Sequence, residues 1–269
     1  MKNPFPQKQE RFFFGEIMMS KLTNKRRSVA RFAKDDVKAL LFDVFGTVVD
    51  WRTSITRQAE TFGRRHGVSG DWSAFADRWR EGYISGMVKV NGGADEWKNV
   101  DQIHRDRLDI LLAEYGFPFV EMDEVAEFNR AWHRLDPWPD SVAGLSRLKK
   151  RFLIASLSNG NVALLVNMAR FAALPWDCVL SSELAGRYKP DHGVYQYAAS
   201  ILDLRNDQVM MVAAHDFDVR AAAEAGLRTA YVSRPAEYGG NGPVEEVVKE
   251  HFDIYAIDFH DLASQLECS

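Results

Sequence analysis

The sequence lacks most features of a secreted, membrane-bound or nucleic-acid-binding protein. Its two cysteines, Cys178 in an apolar run and Cys268 near the end, form neither a disulfide framework nor a zinc pattern. This scarcity fits a reducing compartment, and we expect a cytoplasmic protein. A formal charge of −4 gives little reason to expect a nucleic acid or an anionic membrane as partner. Aromatic and aliphatic residues recur throughout, which excludes disorder for most of the chain.

The first 36 residues differ from the rest of the chain. An apolar triplet at 12–14 is broken at once by a glycine and a glutamate, and a basic stretch at 21–27 follows. No apolar run here is long enough to cross a bilayer or to form a secretory core. The pattern predicts a flexible leader over residues 1–36. A transit peptide is the alternative, and the acidic residues of the segment count against it.

Short apolar runs alternate with segments of helical periodicity in the remaining chain. Near-continuous apolar strands separated by helices are typical of a parallel sheet covered on both faces. The fold class predicted is therefore α/β, with a doubly wound parallel sheet whose ligands bind at the carboxyl ends of the strands. Candidate strands lie at 38–44, 152–157, 177–180, 209–213 and 228–232, with a sixth candidate at 254–257, and candidate helices at about 161–171, 192–202 and 218–225.

Residues 52–135 interrupt this alternation. Large apolar residues between Trp72 and Tyr83 recur at helical spacing, and the same holds for leucines further along. We expect an α-helical cap subdomain inserted after the first strand. The α/β core would then comprise residues 37–51 and 136–269.

Polar side chains follow four of the predicted strands. Asp43 follows the first, Ser158 and Asn159 the second, Lys189 the third, and the segment 215–218 the fourth. Each residue type is common in turns and helix caps, so each one alone would indicate only that. Their joint placement at one sheet edge instead indicates a site, because a carboxylate ending a buried strand is costly unless it is paired or used. The helix start behind Ser158 would offer backbone N–H groups to an anion.

The motifs that contain these residues resemble the haloacid dehalogenase superfamily, and more narrowly its type II (S)-2-haloacid dehalogenases. The resemblance covers about residues 38–265 and implies a Rossmann-like core with a helical cap. The motifs are Phe42–Trp51, Ser158–Gly160, Tyr188–Tyr195 and the fourth-strand segment that ends in Asp218.

The resemblance implies hydrolysis of a small 2-haloacid without metal or cofactor. Asp43 would attack the carbon that bears the halogen and form an aspartyl ester, which water would hydrolyse to a 2-hydroxy acid. Lys189 would keep Asp43 ionised, and Asp218 would position or activate the water.

The same resemblance implies roles for the surrounding residues. Ser158 would hold the substrate carboxylate, while Thr47 and Asn159 would fix the nucleophile and the halide region. Tyr195 matches a family position near the lysine. Arg80 matches an arginine of the cap that meets the halide. The helical wheel places Arg80 beside the apolar stripe, where the alternative is that its stem covers the stripe and its head reaches water.

Two positions separate this sequence from the magnesium-dependent phosphatases of the superfamily. Phe45 stands where they carry a second aspartate, and it would supply an apolar wall that strips water from Asp43. Ala213–Ala214 stands where they carry a glycine and an acidic metal ligand. Because Asp216 and Asp218 could substitute, a magnesium-dependent phosphatase or phosphonatase-like hydrolase is the first alternative. The second is an idle member of the family that binds a small carboxylate.

His215 departs from the type II pattern, in which many members carry Ser-Ser-Asn at 213–215. An imidazole of near-neutral pKa could act as general base for ester hydrolysis or donate to the halide. The sequence leaves open whether His215 or Asp218 activates the water. A more strongly hydrogen-bonding pocket would suit fluoride, which makes fluoroacetate a candidate substrate. Homodimerisation through the cap is compatible with the resemblance.

Overall fold

The computed structural model describes residues 34–240 and 247–269, and its centre is a six-stranded sheet in the order β5-β4-β1-β6-β7-β8. All neighbouring strands in this sheet pair in parallel. The α/β fold with a doubly wound parallel sheet is therefore confirmed. The strands are β1 (Ala39–Phe42), β2 (Val49–Asp50), β3 (Asp136–Pro137), β4 (Leu153–Ser158), β5 (Cys178–Ser181), β6 (Val209–Ala213), β7 (Arg228–Val232) and β8 (Ile254–Ala256).

Helices cover both faces of this sheet, which explains why its strands are apolar along their whole length. All four residues of β1 are fully buried, and two separate apolar clusters lie on its two sides. A strand buried on both faces cannot alternate apolar and polar residues without burying unpaired polar groups. The helices are α1 (Trp51–Arg65), α2 (Trp72–Asn91), α3 (Val100–Glu114), α4 (Met122–Asn129), α5 (Ser141–Leu148), α6 (Val162–Phe171), α7 (His192–Ile201), α8 (Asp216–Glu224) and α9 (Phe259–Gln265).

The helical cap predicted after β1 is present. Residues 51–135, all of which the structure describes, form α1 to α4 and one 3₁₀ turn but no strand. The strands β2 and β3 pair antiparallel where the chain enters and leaves the cap. With two residues each, they are too short to show a sequence pattern. The limits of 52–135 for the cap remain a prediction.

One continuous apolar cluster joins the cap to the sheet. It runs from Phe42 at the end of β1 through Phe45 to Trp79 and Trp132 of the cap. The Trp51 and Trp132 rings stack with their centroids 6.1 Å apart. Because the two parts share this cluster, aromatic rings wall the space between them.

Two details differ from the sequence predictions. Helix α8 begins at Asp216, two residues earlier than expected, and acidic residues in a first turn are favourable beside the helix N-terminus. Residues 1–33 of the predicted leader lie outside the described part. The last three, Lys34–Asp36, form a 3₁₀ turn, and Asp35 accepts a 2.6 Å hydrogen bond from Arg151 of the core. No helix within 34–240 or 247–269 is long and apolar enough to cross a membrane.

Candidate active site

The polar residues predicted to meet do so at the switch point of the sheet. β1 lies between β4 and β6, so the loops after these three strands open at a common edge. Asp43 follows β1 directly, and its N–H donates to the carbonyl of Val212 in β6 at 3.0 Å. Ser158 ends β4, and His215 lies just beyond the end of β6.

Asp43 is a buried carboxylate with donors on both oxygens. Its Oδ1 accepts from Lys189 Nζ at 3.0 Å. Its Oδ2 accepts from Thr47 Oγ1 at 2.8 Å and lies 3.3 Å from His215 Nδ1. Burial opposes ionisation, but Lys189, His215 and Thr47 together outweigh it and lower the pKa of Asp43. The carboxylate is therefore ionised, as a nucleophile must be.

Lys189 links Asp43 to a second buried carboxylate, because its Nζ also lies 2.5 Å from Asp218 Oδ2. Burial would lower the pKa of this lysine, but Asp218 and Asp43 raise it instead. The side chain of Asn159 holds the lysine backbone, accepting from its N–H at 2.8 Å and donating to its carbonyl at 3.3 Å. In the same way Asn91 of the cap pairs with the backbone of Tyr188. The contacts of Asn159 thus fix the lysine, whereas we expected it at the nucleophile and the halide.

Asp218 is almost fully buried and receives a second donor from Tyr195. The tyrosine hydroxyl donates to Asp218 Oδ1 at 2.6 Å, and its side chain is itself fully buried. Burial raises the pKa of Asp218; Lys189 opposes this rise, and Asp43 adds to it. The resemblance placed Tyr195 near the lysine, and its hydroxyl contacts Asp218, which is itself a partner of Lys189. Tyr195 is placed to orient that carboxylate.

His215 lies between two carboxylates. Its Nδ1 faces Asp43, and its Nε2 lies 3.1 Å from both oxygens of Glu237. A neutral imidazole has one donor and one acceptor, so two carboxylates on its two nitrogens require the doubly protonated ring. Burial opposes that charge, but Glu237 and Asp43 raise the pKa of His215 well above its ordinary value of 6.5. The expectation of a near-neutral imidazole was therefore wrong.

Glu237 is a site residue that the sequence reasoning missed. It is buried, and its Oε1 accepts from Trp51 Nε1 at 3.0 Å. Gly46 makes room for it: a Cβ on this glycine, whose φ is +86°, would lie 2.1 Å from Glu237 Oε1. Glu237 follows β7, whereas the polar residues predicted to form the site follow the four earlier strands of the six-stranded sheet. Reading the residues after β7 in the same way would have found it.

Arg80 of α2 points into an aromatic enclosure beside this cluster. Its Cζ lies 4.7 Å from the ring centroid of Tyr83, 5.4 Å from that of Trp51 and 5.5 Å from that of Phe45. Its Nε and Nη1 are buried and have no hydrogen-bond partner among the described residues. Arg80 is half-buried and these two nitrogens are shielded from water, so its head is not simply extended into solvent as in the alternative given above. A half-buried cation with two shielded, unused donors is suited to receive an anion.

The family of the chain follows from comparison with known proteins. The sequence model described as "Hydrolase: haloacid dehalogenase-like hydrolase" matches residues 37–226. The chain belongs to the haloacid dehalogenase-like hydrolases. Its switch-point aspartate, its lysine and its helical cap are among the features on which the resemblance was based.

Several relatives of this hydrolase carry more specific names. It is 30% identical over 213 residues to "(S)-2-haloacid dehalogenase 1" of Pseudomonas sp. (strain CBS-3), which covers 76% of this chain and 89% of that protein. It is 43% identical to the structure of the "defluorinating L-2-haloacid dehalogenase Rha0230", with a TM-score of 0.82 and coverage of 86% and 96%. For the "L-2-haloacid dehalogenase PA0810" the identity is 42%, the TM-score 0.80 and the coverage 86% and 99%.

The donor set of this hydrolase does not fit magnesium. No group of three His, Cys, Asp or Glu side chains that could hold a metal ion is found within 34–240 and 247–269. The ammonium of Lys189 binds both Asp43 and Asp218, and Asp216 pairs with Arg220 at 2.6 Å. Magnesium requires several free oxygen ligands in near-octahedral geometry, so these carboxylates do not substitute for the missing acidic ligand.

The anion-binding site predicted at Ser158 and the helix start behind it is partly occupied by other groups of the chain. Ser158 is fully buried, and its Oγ accepts a 3.3 Å hydrogen bond from Gly160 N–H. The N–H of Val162, at the start of α6, donates to Glu183 at 2.8 Å. The assignment of the substrate carboxylate to Ser158 remains a prediction.

Proposed function

We propose that this hydrolase is a 2-haloacid dehalogenase that converts 2-haloalkanoic acids to 2-hydroxy acids through an ester on Asp43. The observation that carries the proposal is a buried, ionised Asp43 near the aromatic enclosure of Arg80, whose Nε and Nη1 have no hydrogen-bond partner among the described residues. Such a pair offers a nucleophile for the carbon and a cation for the departing halide. Phe45 adds an apolar surface where a phosphatase would need a proton donor.

The named relatives support a narrower substrate range. The curated relative is named for (S)-2-haloacids, and one similar structure is described as defluorinating. For this protein we propose (S)-2-haloalkanoic acids and haloacetates as substrates, with fluoroacetate included. Fluoride is a stronger hydrogen-bond acceptor than the larger halides, so a site with charged donors favours its departure.

In the first step, Asp43 displaces the halide. One carboxylate oxygen forms a bond to the substrate carbon, and the carbon–halogen bond breaks with its electron pair leaving on the halide. Arg80 binds the halide, while Ser158 and the turn after it hold the substrate carboxylate. Aromatic side chains around Arg80 exclude water, which leaves the carboxylate poorly solvated and more reactive.

In the second step, water attacks the Cγ atom of the Asp43 ester. In the doubly protonated form inferred from its two carboxylate neighbours, His215 cannot accept another proton. Asp218 is therefore the proposed base that takes a proton from the water. Lys189, which touches both Asp218 and Asp43, donates a proton to the departing oxygen of the product and takes one back from Asp218. The remaining proton of the regenerated carboxyl group leaves to solvent.

The first test is halide release from fluoroacetate, chloroacetate and the two enantiomers of 2-chloropropionate, with excess chelator present. We expect release from the haloacetates and from the S enantiomer, and its loss in Asp43→Asn. The matched control is Asp109→Asn, which neutralises an exposed carboxylate on the cap surface. A requirement for magnesium, or halide release that persists in Asp43→Asn, would contradict the proposal.

The second test locates the oxygen of the attacking water. One turnover in heavy-oxygen water with enzyme in excess should place the label in the Asp43 carboxylate, because water attacks Cγ and the product keeps the original aspartate oxygen. Direct attack of water on the substrate carbon would instead label only the product hydroxyl.

The proposal extends to location and assembly. A cytoplasmic location is supported by two cysteines that are both unpaired, Cys178 and Cys268. A homodimer is supported by apolar side chains exposed on the cap, among them Ile110, Phe119 and Met122. Sedimentation of the wild type against Phe119→Ser tests the dimer, which should weaken in the variant.

A further inference from the structure

Glu237, His215 and Asp43 form a continuous chain of charged contacts. Glu237 touches the Nε2 side of the ring, and Asp43 Oδ2 lies on the Nδ1 side. The Trp51 indole fixes Glu237 from behind. Glu237 is 4% exposed and Asp43 7%, so solvent screens this chain of charges only weakly. Neither step proposed above gives Glu237 a task.

The two oxygens of Asp43 are not equivalent. Within the described residues, Oδ2 faces two donors, Thr47 Oγ1 and His215 Nδ1, whereas Oδ1 accepts only from Lys189 Nζ. The oxygen with fewer donors keeps a lone pair free for attack on carbon. Oδ1 is therefore the nucleophile, and Oδ2 becomes the carbonyl oxygen of the ester.

Thr47 and His215 then face the oxygen on which negative charge develops when water attacks the ester. The Thr47 hydroxyl is itself aligned by the N–H of Ala214, which donates to its Oγ1 at 2.9 Å. Donors held in place at a developing oxyanion stabilise the transition state because they need no reorganisation. A charged donor is stronger than a neutral one.

Once the ester forms, Asp43 loses the negative charge that had faced His215. A buried imidazolium without a counter-charge would tend to release its proton. Glu237 remains ionised beside it. Burial alone would raise the pKa of Glu237, but His215 outweighs burial, and Arg80 and Trp51 add to its effect, so the pKa is lowered. The glutamate is thus the group that keeps the ring charged during the second half of the reaction.

We infer that Glu237 is a positioning residue that holds His215 as a charged oxyanion donor to Asp43 Oδ2 during hydrolysis of the ester. His215 touches the reacting carboxylate, whereas Glu237 acts only through the ring. No proton leaves His215 in this step: the negative charge that water attack places on Oδ2 is stabilised and then returns to the carbonyl as the Cγ–Oδ1 bond breaks. This inference rests on the proposed dehalogenase function and assigns a separate task within it.

The test separates formation of the ester from its hydrolysis. In Glu237→Gln, rapid mixing with chloroacetate should release one chloride per site at a rate near that of the wild type, followed by turnover slowed by about 10²-fold or more. The quenched variant should gain the mass of one carboxymethyl group on the peptide that contains Asp43. The wild type should show little of this adduct, because it hydrolyses the ester faster.

A double-mutant cycle shows whether Glu237 acts through His215. His215→Gln should also release one chloride per site and accumulate the adduct, with a slower burst because a cation that keeps Asp43 ionised is lost; adding Glu237→Gln to it should slow hydrolysis less than about twofold further. If Glu237 served only to satisfy the Trp51 indole and maintain the fold, its substitution would slow both phases and would remain costly when His215 is absent.

Three outcomes overturn the inference. They are unchanged turnover in Glu237→Gln, equal slowing of the burst and of steady turnover, and additive losses in the double variant. Failure of the dehalogenase function itself looks different, since the wild type would then release no halide and no variant would form an adduct. Urea unfolding of each variant shows that it is folded at the assay temperature.

Discussion

Replacing Lys189 with methionine tests the electrostatic core of the site. The ammonium lies 3.0 Å from one buried carboxylate and 2.5 Å from another. At an effective dielectric constant of about 20, each contact contributes roughly 6 kcal/mol of gross attraction. Loss of one partner of a buried ion pair typically costs about 3–5 kcal/mol. Because two carboxylates then remain close together without this cation, one of them takes up a proton.

Lys189→Met should therefore lose both stability and activity. We expect the free energy of unfolding at neutral pH to fall by about 3–5 kcal/mol and dehalogenation to fall by about 10³-fold or more, the equivalent of about 4 kcal/mol. The stability deficit should shrink as the pH falls, because protonation removes the unpaired charge. Urea unfolding and halide release measure the two effects.

The matched control is Lys149→Met, which removes a partly exposed lysine paired with Asp177 at 2.8 Å. A surface pair of this kind contributes at most about 1 kcal/mol. If Lys189→Met lost no more stability than this control and kept its activity within tenfold, Lys189 would not be the counter-charge of Asp43 and Asp218. The account of the site would then fail at its first step.

Two further predictions concern the other cations of the site. Arg80→Met should keep the free energy of unfolding or raise it by about 1 kcal/mol, because it removes buried donors that have no hydrogen-bond partner among the described residues. Halide release should fall at least about 100-fold. A loss of stability that accompanies the loss of activity would contradict this role of Arg80. Folding raises the pKa of His215 above 6.5, so its proton-linked stabilisation is complete below that pH and is lost as the pH rises toward the folded-state pKa. The wild type should thus lose stability relative to His215→Gln from about pH 6.5 into the alkaline range, and parallel stability curves in urea unfolding would refute the charged ring.

The sequence was sufficient to predict the sheet because its strands are buried on both faces. A strand such as β6, fully apolar over Val209–Ala213, leaves a signal that does not depend on its neighbours. The strands β2 and β3 left no such signal in the sequence. Each has only two residues, and their pairing depends on where the cap returns the chain to the core. The start of α8 was placed too late because the acidic residues after β6 were interpreted as site residues alone, although they also lie in the first turn of the helix.

For the site, the sequence predicted which residues lie close together but not which side chains touch each other. Asp43, Lys189, Asp218 and His215 were expected at one edge, and the structure places them there. Which side chain touches which depends on loop geometry that no local pattern encodes. The protonation of His215 is the clearest case, because it depends on Glu237, which lies 22 residues away in the chain. The pairing of β7 with β6 brings Glu237 to the ring.

The arrangement of charge links the two half-reactions. Before substrate binds, three acidic side chains, Asp43, Asp218 and Glu237, face three basic ones, Lys189, His215 and Arg80. Formation of the ester removes the charge of Asp43 but leaves both of its cationic neighbours in place. Lys189 and His215 then polarise a neutral ester instead of stabilising a carboxylate, so the groups that keep the nucleophile ionised in the first step make its ester electrophilic in the second.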